Sequence, residues 1–296
     1  MDKEYWFVII GAILSGAITF GGQIFANFGM SIVEISFLPF IFTLVILAPF
    51  VFLKKKYNIN WKLWRVWLLF GLVSLPIGVG QFAAVKLGIP VAIVVLLLST
   101  QPLWTLIFGK VFLKEKISIK KIIALILVLI GLYILISPKT SGNLNPWGIF
   151  FGLVAGLGLS GWTIVGNYAS RIKNNNPVTV KFMEASSYLA IIIILYPLIL
   201  YLFPNPEISR FKLAWPLIVW VALLLFALIT QITAHILMFT GYKKVEASTA
   251  GIILLLEPIS AAILAYVFLS QAITINIIIG GVIILAANYL VVTEKK

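Results

Sequence analysis

From Tyr5 to Val292 the sequence is cut into apolar runs of helix length by short connections that carry nearly all of its charge. A lipid hydrocarbon core offers no water to backbone N–H and C=O groups, so only helices or a closed barrel can span it. A spanning helix needs about 20 mostly apolar residues, whereas a barrel strand shows a period-two alternation of polarity. The runs here are continuous, which predicts an all-α membrane protein. Ten spans can be marked: Tyr5–Phe25, Ile35–Leu53, Trp64–Phe82, Val91–Leu113, Ile119–Ile136, Trp147–Tyr168, Phe182–Phe203, Leu213–Thr240, Ala247–Leu269 and Thr274–Val292. The connections leave no room for a soluble domain. With 10% charged residues, the chain also lacks the polar surface that a soluble protein of 296 residues would need. The first run is too long for a signal-peptide core and is expected to be a retained helix.

The distribution of charge predicts orientation. With the N-terminus inside, eighteen of the 22 Lys and Arg residues fall on one side, including Lys54–Lys56, Lys62, Arg65, Lys114, Lys116, Arg171, Lys173, Lys181, Lys243 and Lys244. Lys86, Lys139, Arg210 and Lys212 fall on the other. This positive-inside bias predicts a multi-pass protein of the plasma (cytoplasmic) membrane with both termini cytoplasmic, and it requires an even number of spans. The net charge of +13 would suggest nucleic acid in a soluble chain; in short membrane loops it reads as a topology signal, and no nucleic-acid partner is expected. Trp6, Trp61, Trp64, Trp67, Trp147, Trp215 and Trp220 lie at or near span ends, where interfacial anchors belong. No cysteine is present, which excludes disulfides and thiolate chemistry.

One span stands apart. Ala247–Leu269 carries Glu257 near its middle with Pro258 behind it. An acidic residue at a helix centre costs roughly 2.5–3.5 kcal/mol on insertion scales, so it marks a functional candidate. The proline removes a donor and is expected to bend the helix beside the carboxylate. At an offset of 156, Val94–Tyr133 lies over Ala250–Tyr289, so that Gln101-Pro102 matches Glu257-Pro258 and Tyr133 matches Tyr289. At an offset of 141, Trp6, Gly11, Ser15 and Thr19 fall on Trp147, Gly152, Gly156 and Ser160. The expected organisation is a five-helix repeat over 1–136, an extracytoplasmic linker at 137–146 and a second five-helix repeat over 147–296. An odd helix count inverts the second copy, as in transporters that alternate access around a midplane site.

These features resemble the drug/metabolite transporter superfamily, in its EamA-type branch of ten-helix permeases. The resemblance covers nearly the whole chain and is most specific at the end of each half, in Pro102, Leu113-Lys114-Glu115 and Gly131, and in Pro258, Leu269-Ser270-Gln271 and Gly280-Gly281. The second copy has Gln271 where an acidic residue is usual, and the arginine often seen in helix 2 is missing from Phe37–Leu44. The resemblance implies a cavity lined mainly by helices 1, 3, 4, 6, 8 and 9, and efflux of small metabolites.

Several polar residues are candidates for lining such a cavity. Ser15, Thr19, Gln23 and Asn27 recur every fourth residue along one face of helix 1. The small ones also form a seam suited to close helix packing, repeated as Gly152-Gly156-Ser160. Gln81, Gln101 and Gln231 both donate and accept, so each suits a polar substrate or a bond to a neighbouring helix. Trp104 and Trp162 sit well inside their spans, as packing bulk or as cavity wall. His235, the one histidine, titrates in the range useful for proton coupling and joins Glu257 as a coupling candidate, though their depths argue against a direct pair. Glu184 and Glu34 lie near span ends and are expected to reach water. No Lys or Arg lies near the middle of a span, so a phosphorylated substrate lacks a fixed cation to pair with.

The expected substrate is therefore small and neutral, zwitterionic or cationic, amino-acid-like or drug-like, exported by a secondary transporter with possible proton coupling. The alternatives are a flippase for a lipid-linked sugar and an uncoupled exchanger or uniporter. Neither paired aspartates nor a His-Glu-x-x-His or Gly-x-Ser-x-Gly motif occurs, so an enzyme is not expected. No metal site or cofactor is expected.

Overall fold

A computed structural model describes residues 2–87, 89, 94, 97–136, 144–202, 204–269 and 274–293. Among these residues the chain is helical and contains no strand. The long helices are α1 (Lys3–Asn27), α2 (Ile32–Leu53), α3 (Trp64–Lys86), α4 (Gln101–Leu113), α5 (Ile119–Ile136), α6 (Pro146–Arg171) and α7 (Pro177–Leu202). They are followed by α8 (Leu217–Gly241), then α9 (Ala247–Ile253), α10 (Leu256–Leu269) and α11 (Ile275–Val292). Seven of the helical segments, with α9 and α10 taken together, are long and apolar enough to cross a membrane. Most of the linker at 137–146 lies outside the described residues, as does Gln271.

Antiparallel packing brings alternate connections to two ends of the bundle. At the end carrying the first turn of α1, Lys244 Nζ lies 2.9 Å from Glu4 Oε1, and Thr179 Oγ1 donates to Tyr57 O at 2.8 Å. At the opposite end, Arg210 Nη2 donates to Gly29 O at 2.5 Å and the Lys212 N–H donates to Glu34 Oε1 at 2.7 Å. Glu34 does not reach water there as the sequence suggested; it is fully buried. It starts α2 in a reciprocal capping box, accepting from the Ser31 N–H while its own N–H donates to Ser31 Oγ.

Two helical spans are broken rather than bent, and proline chemistry sets the break points. A proline ring collides with the carbonyl four residues upstream and supplies no N–H to it. For Pro258 that carbonyl belongs to Leu254. The chain turns at Leu254–Leu255, and Leu254 O accepts instead from the Glu257 N–H at 3.0 Å. For Pro102 it belongs to Leu98; Ser99 and Thr100 form the turn, and Thr100 Oγ1 donates to Leu97 O at 2.7 Å. Both prolines then sit in the first turn of a new helix, where proline is tolerated.

The largest buried apolar cluster joins Val8 and Ala12 of α1, Trp67 and Phe70 of α3, Trp162 of α6, Phe239 of α8, and Leu254 and Leu256 beside the α9–α10 break. A second cluster joins Val128 and Leu132 of α5 to Ile252 of α9 and Ile284 of α11. There α5 and α11 approach so closely that a Cβ on Gly131 would lie 2.9 Å from Gly280 O. The outward sides of these two helices expose Ile126, Ile130, Val282 and Leu285, as a lipid-facing surface does. Trp6, Trp61, Trp64 and Trp147 are exposed near helix ends, but Trp67 is 1% exposed. It faces the core because its indole N–H reaches Asn60 O at 3.3 Å, which satisfies its one donor.

Candidate functional site

The densest buried polar cluster lies where α7 meets α6 and α8. Helix α7 begins at Pro177, with Asn176 Oδ1 accepting from the Val178 N–H, the Asn-cap and Pro-N1 arrangement that opens helices. This start places Lys181 inside the helix rather than in the preceding loop, where the charge count had put it. Its ammonium is fully buried, and all three of its donors have acceptors: Glu184 Oε2 at 2.5 Å, Gln231 Oε1 at 3.2 Å and His235 Nδ1 at 3.0 Å. The ammonium also lies 4.6 Å from the centroid of the Phe40 ring, a cation–π contact strengthened by the absence of water.

Glu184 is likewise buried, with its side chain 2% exposed. This corrects the expectation that it reaches water. Its second oxygen accepts from the Trp162 indole N–H at 3.2 Å. Because an ammonium only donates, Nδ1 of His235 accepts and the ring proton resides on Nε2. His235 therefore pairs with Lys181, and Glu257 is not its partner. The Trp162 and His235 rings lie 4.9 Å apart between centroids, and Trp162 and Phe239 lie 5.4 Å apart. Gln231 belongs to a π-helical stretch, Ala227–Ala234, that runs directly into His235. Such bulges recur at functional sites.

A second polar group joins α4 to α6. Gln101 Nε2 donates to Thr105 Oγ1 at 2.9 Å and to Thr163 Oγ1 at 3.2 Å; Thr105 Oγ1 gives its one proton to Gln101 O at 2.8 Å, and the Ser160 hydroxyl lies 3.0 Å from it and can donate to it. All four residues are fully buried. Gln101 thus makes the bond to a neighbouring helix that its chemistry allows. Gly152 and Gly156 pack against Leu97, where an added Cβ on either would collide, so this half of the small-residue seam serves close packing.

Glu257 is different. It occupies the first turn of α10, immediately after the break. Its carboxylate makes no hydrogen bond or ion pair with any described residue, and the residue is partly exposed. Helix α1 crosses α10 at this turn: a Cβ on Gly16 would lie 2.0 Å from Ser260 Oγ and 2.9 Å from Glu257 O. One residue along α1, the Ser15 hydroxyl is buried and has no partner among the described residues. The indole N–H of half-buried Trp104 likewise has no partner among the described residues. The positive end of the α10 dipole favours a carboxylate in this first turn. A carboxylate with no described partner can accept from an ammonium, another cationic group or a proton.

The structure thus assembles Trp162, Gln231 and His235 around one buried ion pair and Gln101 and Ser160 in an interhelical network, and leaves Ser15, Trp104 and Glu257 with unused hydrogen-bonding groups. The side chains of Thr19, Gln23 and Gln81 lie outside the described residues. Sequence reasoning missed Lys181 and the burial of Glu184. The Asn176-Pro177 start and the i, i+3 spacing of Lys181 and Glu184 were the available signals.

The chain resembles known proteins along its full length. The family model for EamA-like transporters matches residues 2–137 and 146–293. An uncharacterized transporter of Clostridium kluyveri is 26% identical, aligned over 100% of this chain and 95% of its own. An uncharacterized transporter of Archaeoglobus fulgidus is 24% identical over 96% of this chain and 98% of its own. A solved crystal structure, 16% identical, superposes with a TM-score of 0.76 over 97% of this chain and 96% of that one. At that identity the likeness is one of fold.

Proposed function

The chain belongs to the EamA-like transporter family, and from that premise we propose that it is a secondary transporter of small neutral, zwitterionic or cationic metabolites, amino-acid-like or drug-like. It exports them by alternating access, with Glu257 taking up either a proton or the cationic group of the substrate. The observation that carries this reading is the Glu257 carboxylate, which has no described partner at the start of a half-helix. Discontinuous helices whose ends face the substrate are the hallmark of midplane transport sites. Counting along the helix axis at about 1.5 Å per residue, Glu257 lies about 15 Å from the start of α9, half the thickness of a hydrocarbon core.

The same reading takes the chain as ten spans in two inverted halves, with both termini in the cytoplasm of a plasma-membrane protein. It is supported by the breaks that precede the two prolines, at Ser99–Thr100 before Pro102 and at Leu254–Leu255 before Pro258, by the family match falling in two consecutive segments, and by the concentration of basic residues on one side. Lys181 does not alter the substrate class, since its charge is neutralised by Glu184 within the protein.

The test is flux into proteoliposomes of amino acids and amphipathic cations, with and without a pH gradient. Glu257→Gln is expected to abolish gradient-driven flux while the protein inserts and folds normally. Unchanged pH dependence in the variant removes the coupling role, and a preference for sugar phosphates overturns the substrate class.

A further inference from the structure

Where α6 gives way to α7, a cleft of about 400 Å³ opens at the end of the bundle that carries the first turn of α1. That volume is within the ~300–1,000 Å³ range of small-ligand pockets. Four cations from three separate parts of the chain converge on it: Lys56 after α2, Arg171 at the end of α6 with Lys173 just beyond it, and Lys243 after α8. The three successive amides at 174–176 complete its wall, and no carboxylate lines it. Like charges brought together without a counter-charge repel, and an anion bound between them would relieve that repulsion.

Two further features point to an anion. Ser170 lines the cleft, is 2% exposed, and its hydroxyl has no hydrogen-bond partner among the described residues. A buried hydroxyl without a partner is unfavourable unless a ligand accepts its proton. The 26-residue helix α7 also begins at the edge of the cleft and adds the positive end of its dipole. Arg171 is committed to the fold, donating to Tyr242 O at 3.2 Å and Val245 O at 3.0 Å. Lys173 and Lys243 form no ion pair among the described residues.

We propose that this cleft binds a phosphate group. A lipid phosphodiester and a soluble phosphate share the required chemistry. The surroundings favour the lipid: Phe52 and Leu53, at the end of α2 just before Lys56, are 67% and 81% exposed, and Trp61 and Trp64, where the same connection leads into α3, are exposed as well. Aromatic residues of this kind sit at headgroup level, so the cleft opens where a lipid phosphate resides, with an apolar helix surface beside it for an acyl chain. Basic pockets between membrane helices hold anionic headgroups in this way. The site is separate from Glu257 and does not depend on what is transported.

The experiment uses the full chain in neutral detergent, followed by native mass spectrometry and thermal shift. Phosphatidylglycerol, phosphatidylcholine and inorganic phosphate are titrated separately. Phosphatidylglycerol is expected to bind with preference over phosphatidylcholine. The double variant Lys173→Gln/Lys243→Gln is expected to bind it about 30-fold more weakly, at roughly 1 kcal/mol per lysine near a charged lipid. Ser170→Ala is expected to weaken it further. The control Lys55→Gln/Lys62→Gln removes equal charge from the neighbouring connection without touching the cleft and is expected to change binding little. Saturable stabilisation by inorganic phosphate, lost in the same cleft variants, assigns the site to a soluble phosphate instead of the lipid. Equal binding of the two lipids with no phosphate effect, or equal losses in cleft and control variants, overturns the proposal.

Discussion

Lys181 and Glu184 form the most demanding interaction in the molecule, and a double-mutant cycle measures it. Their side chains are 0% and 2% exposed, 2.5 Å apart. Lys181→Met keeps the length of the side chain but leaves a buried carboxylate with the Trp162 indole N–H as its one remaining partner. Removing one member of a buried pair costs about 3–5 kcal/mol, because the other charge stays in a poorly polarisable site without compensation. Glu184→Gln leaves the ammonium to Gln231 and His235, both neutral acceptors, and is expected to cost the lower end of that range. In Lys181→Met/Glu184→Gln no charge is left to desolvate, and a glutamine oxygen still accepts from Trp162. The double variant is therefore expected to be more stable than either single one, which makes the coupling energy larger than the cost of either single change, at least about 3–5 kcal/mol. Equilibrium unfolding in mixed micelles with rising SDS fraction, followed by tryptophan fluorescence, reads all four corners of the cycle. Additive single effects, with coupling below about 0.5 kcal/mol, would refute the reasoning and mean that water reaches the pair.

Other perturbations test separate parts of the structure. Glu115 accepts from the Ala247 N–H at 2.6 Å, the Ser248 N–H at 3.0 Å and Ser248 Oγ at 2.6 Å, tying the α4–α5 connection to the start of α9. Glu115→Ala is expected to destabilise by about 2–4 kcal/mol, since bonds to a charged acceptor are worth roughly 1.5–3 kcal/mol each and do not add fully; protease cleavage in the 242–246 loop should accelerate in parallel. Gly16→Val drives a side chain into Ser260 and the Glu257 carbonyl, whereas a Cβ on Gly22 of the same helix meets nothing within 4 Å. Flux is expected to be lost in Gly16→Val and kept in Gly22→Val at equal expression. Gln101→Leu removes two bonds, but Thr105 and Thr163 keep their own bonds to Gln101 O and Leu159 O. The expected cost is about 1–2 kcal/mol with an unchanged order of substrate preference, measured by competition in the flux assay.

The helices were legible because lipid removes alternatives: a continuous apolar run can be little else. The breaks were half legible. Pro102 and Pro258 announced a disturbance, and the position of each break follows from the carbonyl a proline ring excludes, at Leu98 and Leu254. The buried ion pair was not legible from hydropathy. Span marking stops where charge begins, so it set the start of the seventh span at Phe182 and left Lys181 among the loop cations. Whether a lysine near a helix end reaches water or folds inward depends on neighbours distant in sequence. Here those neighbours are Phe40, Gln231 and His235, contributed by α2 and α8. No periodicity within α7 carries that information. Glu34 illustrates the same limit, since the group that completes its burial is the backbone of Lys212.

The two break points carry the functional argument furthest when set side by side. Both follow from the same proline placement, and both open a new helix with a polar residue immediately before the proline. On one side Gln101 spends both donors of its amide on Thr105 and Thr163, closing that turn onto α6. On the other, Glu257 has no described partner and α1 crosses beside it at Gly16. A neutral amide that is fully bonded braces a helix at little electrostatic cost, whereas an unpartnered carboxylate at membrane depth is unfavourable until something binds it. Exchanging the two tests that asymmetry. Gln101→Glu buries a charge among hydroxyls already committed to other bonds and is expected to destabilise the chain without creating a second coupling site. Glu257→Gln relieves a cost and is expected to leave the protein as stable or more so, while removing gradient-driven flux. A Glu257→Gln chain that is markedly less stable would assign Glu257 to the fold and leave transport to be explained by other residues.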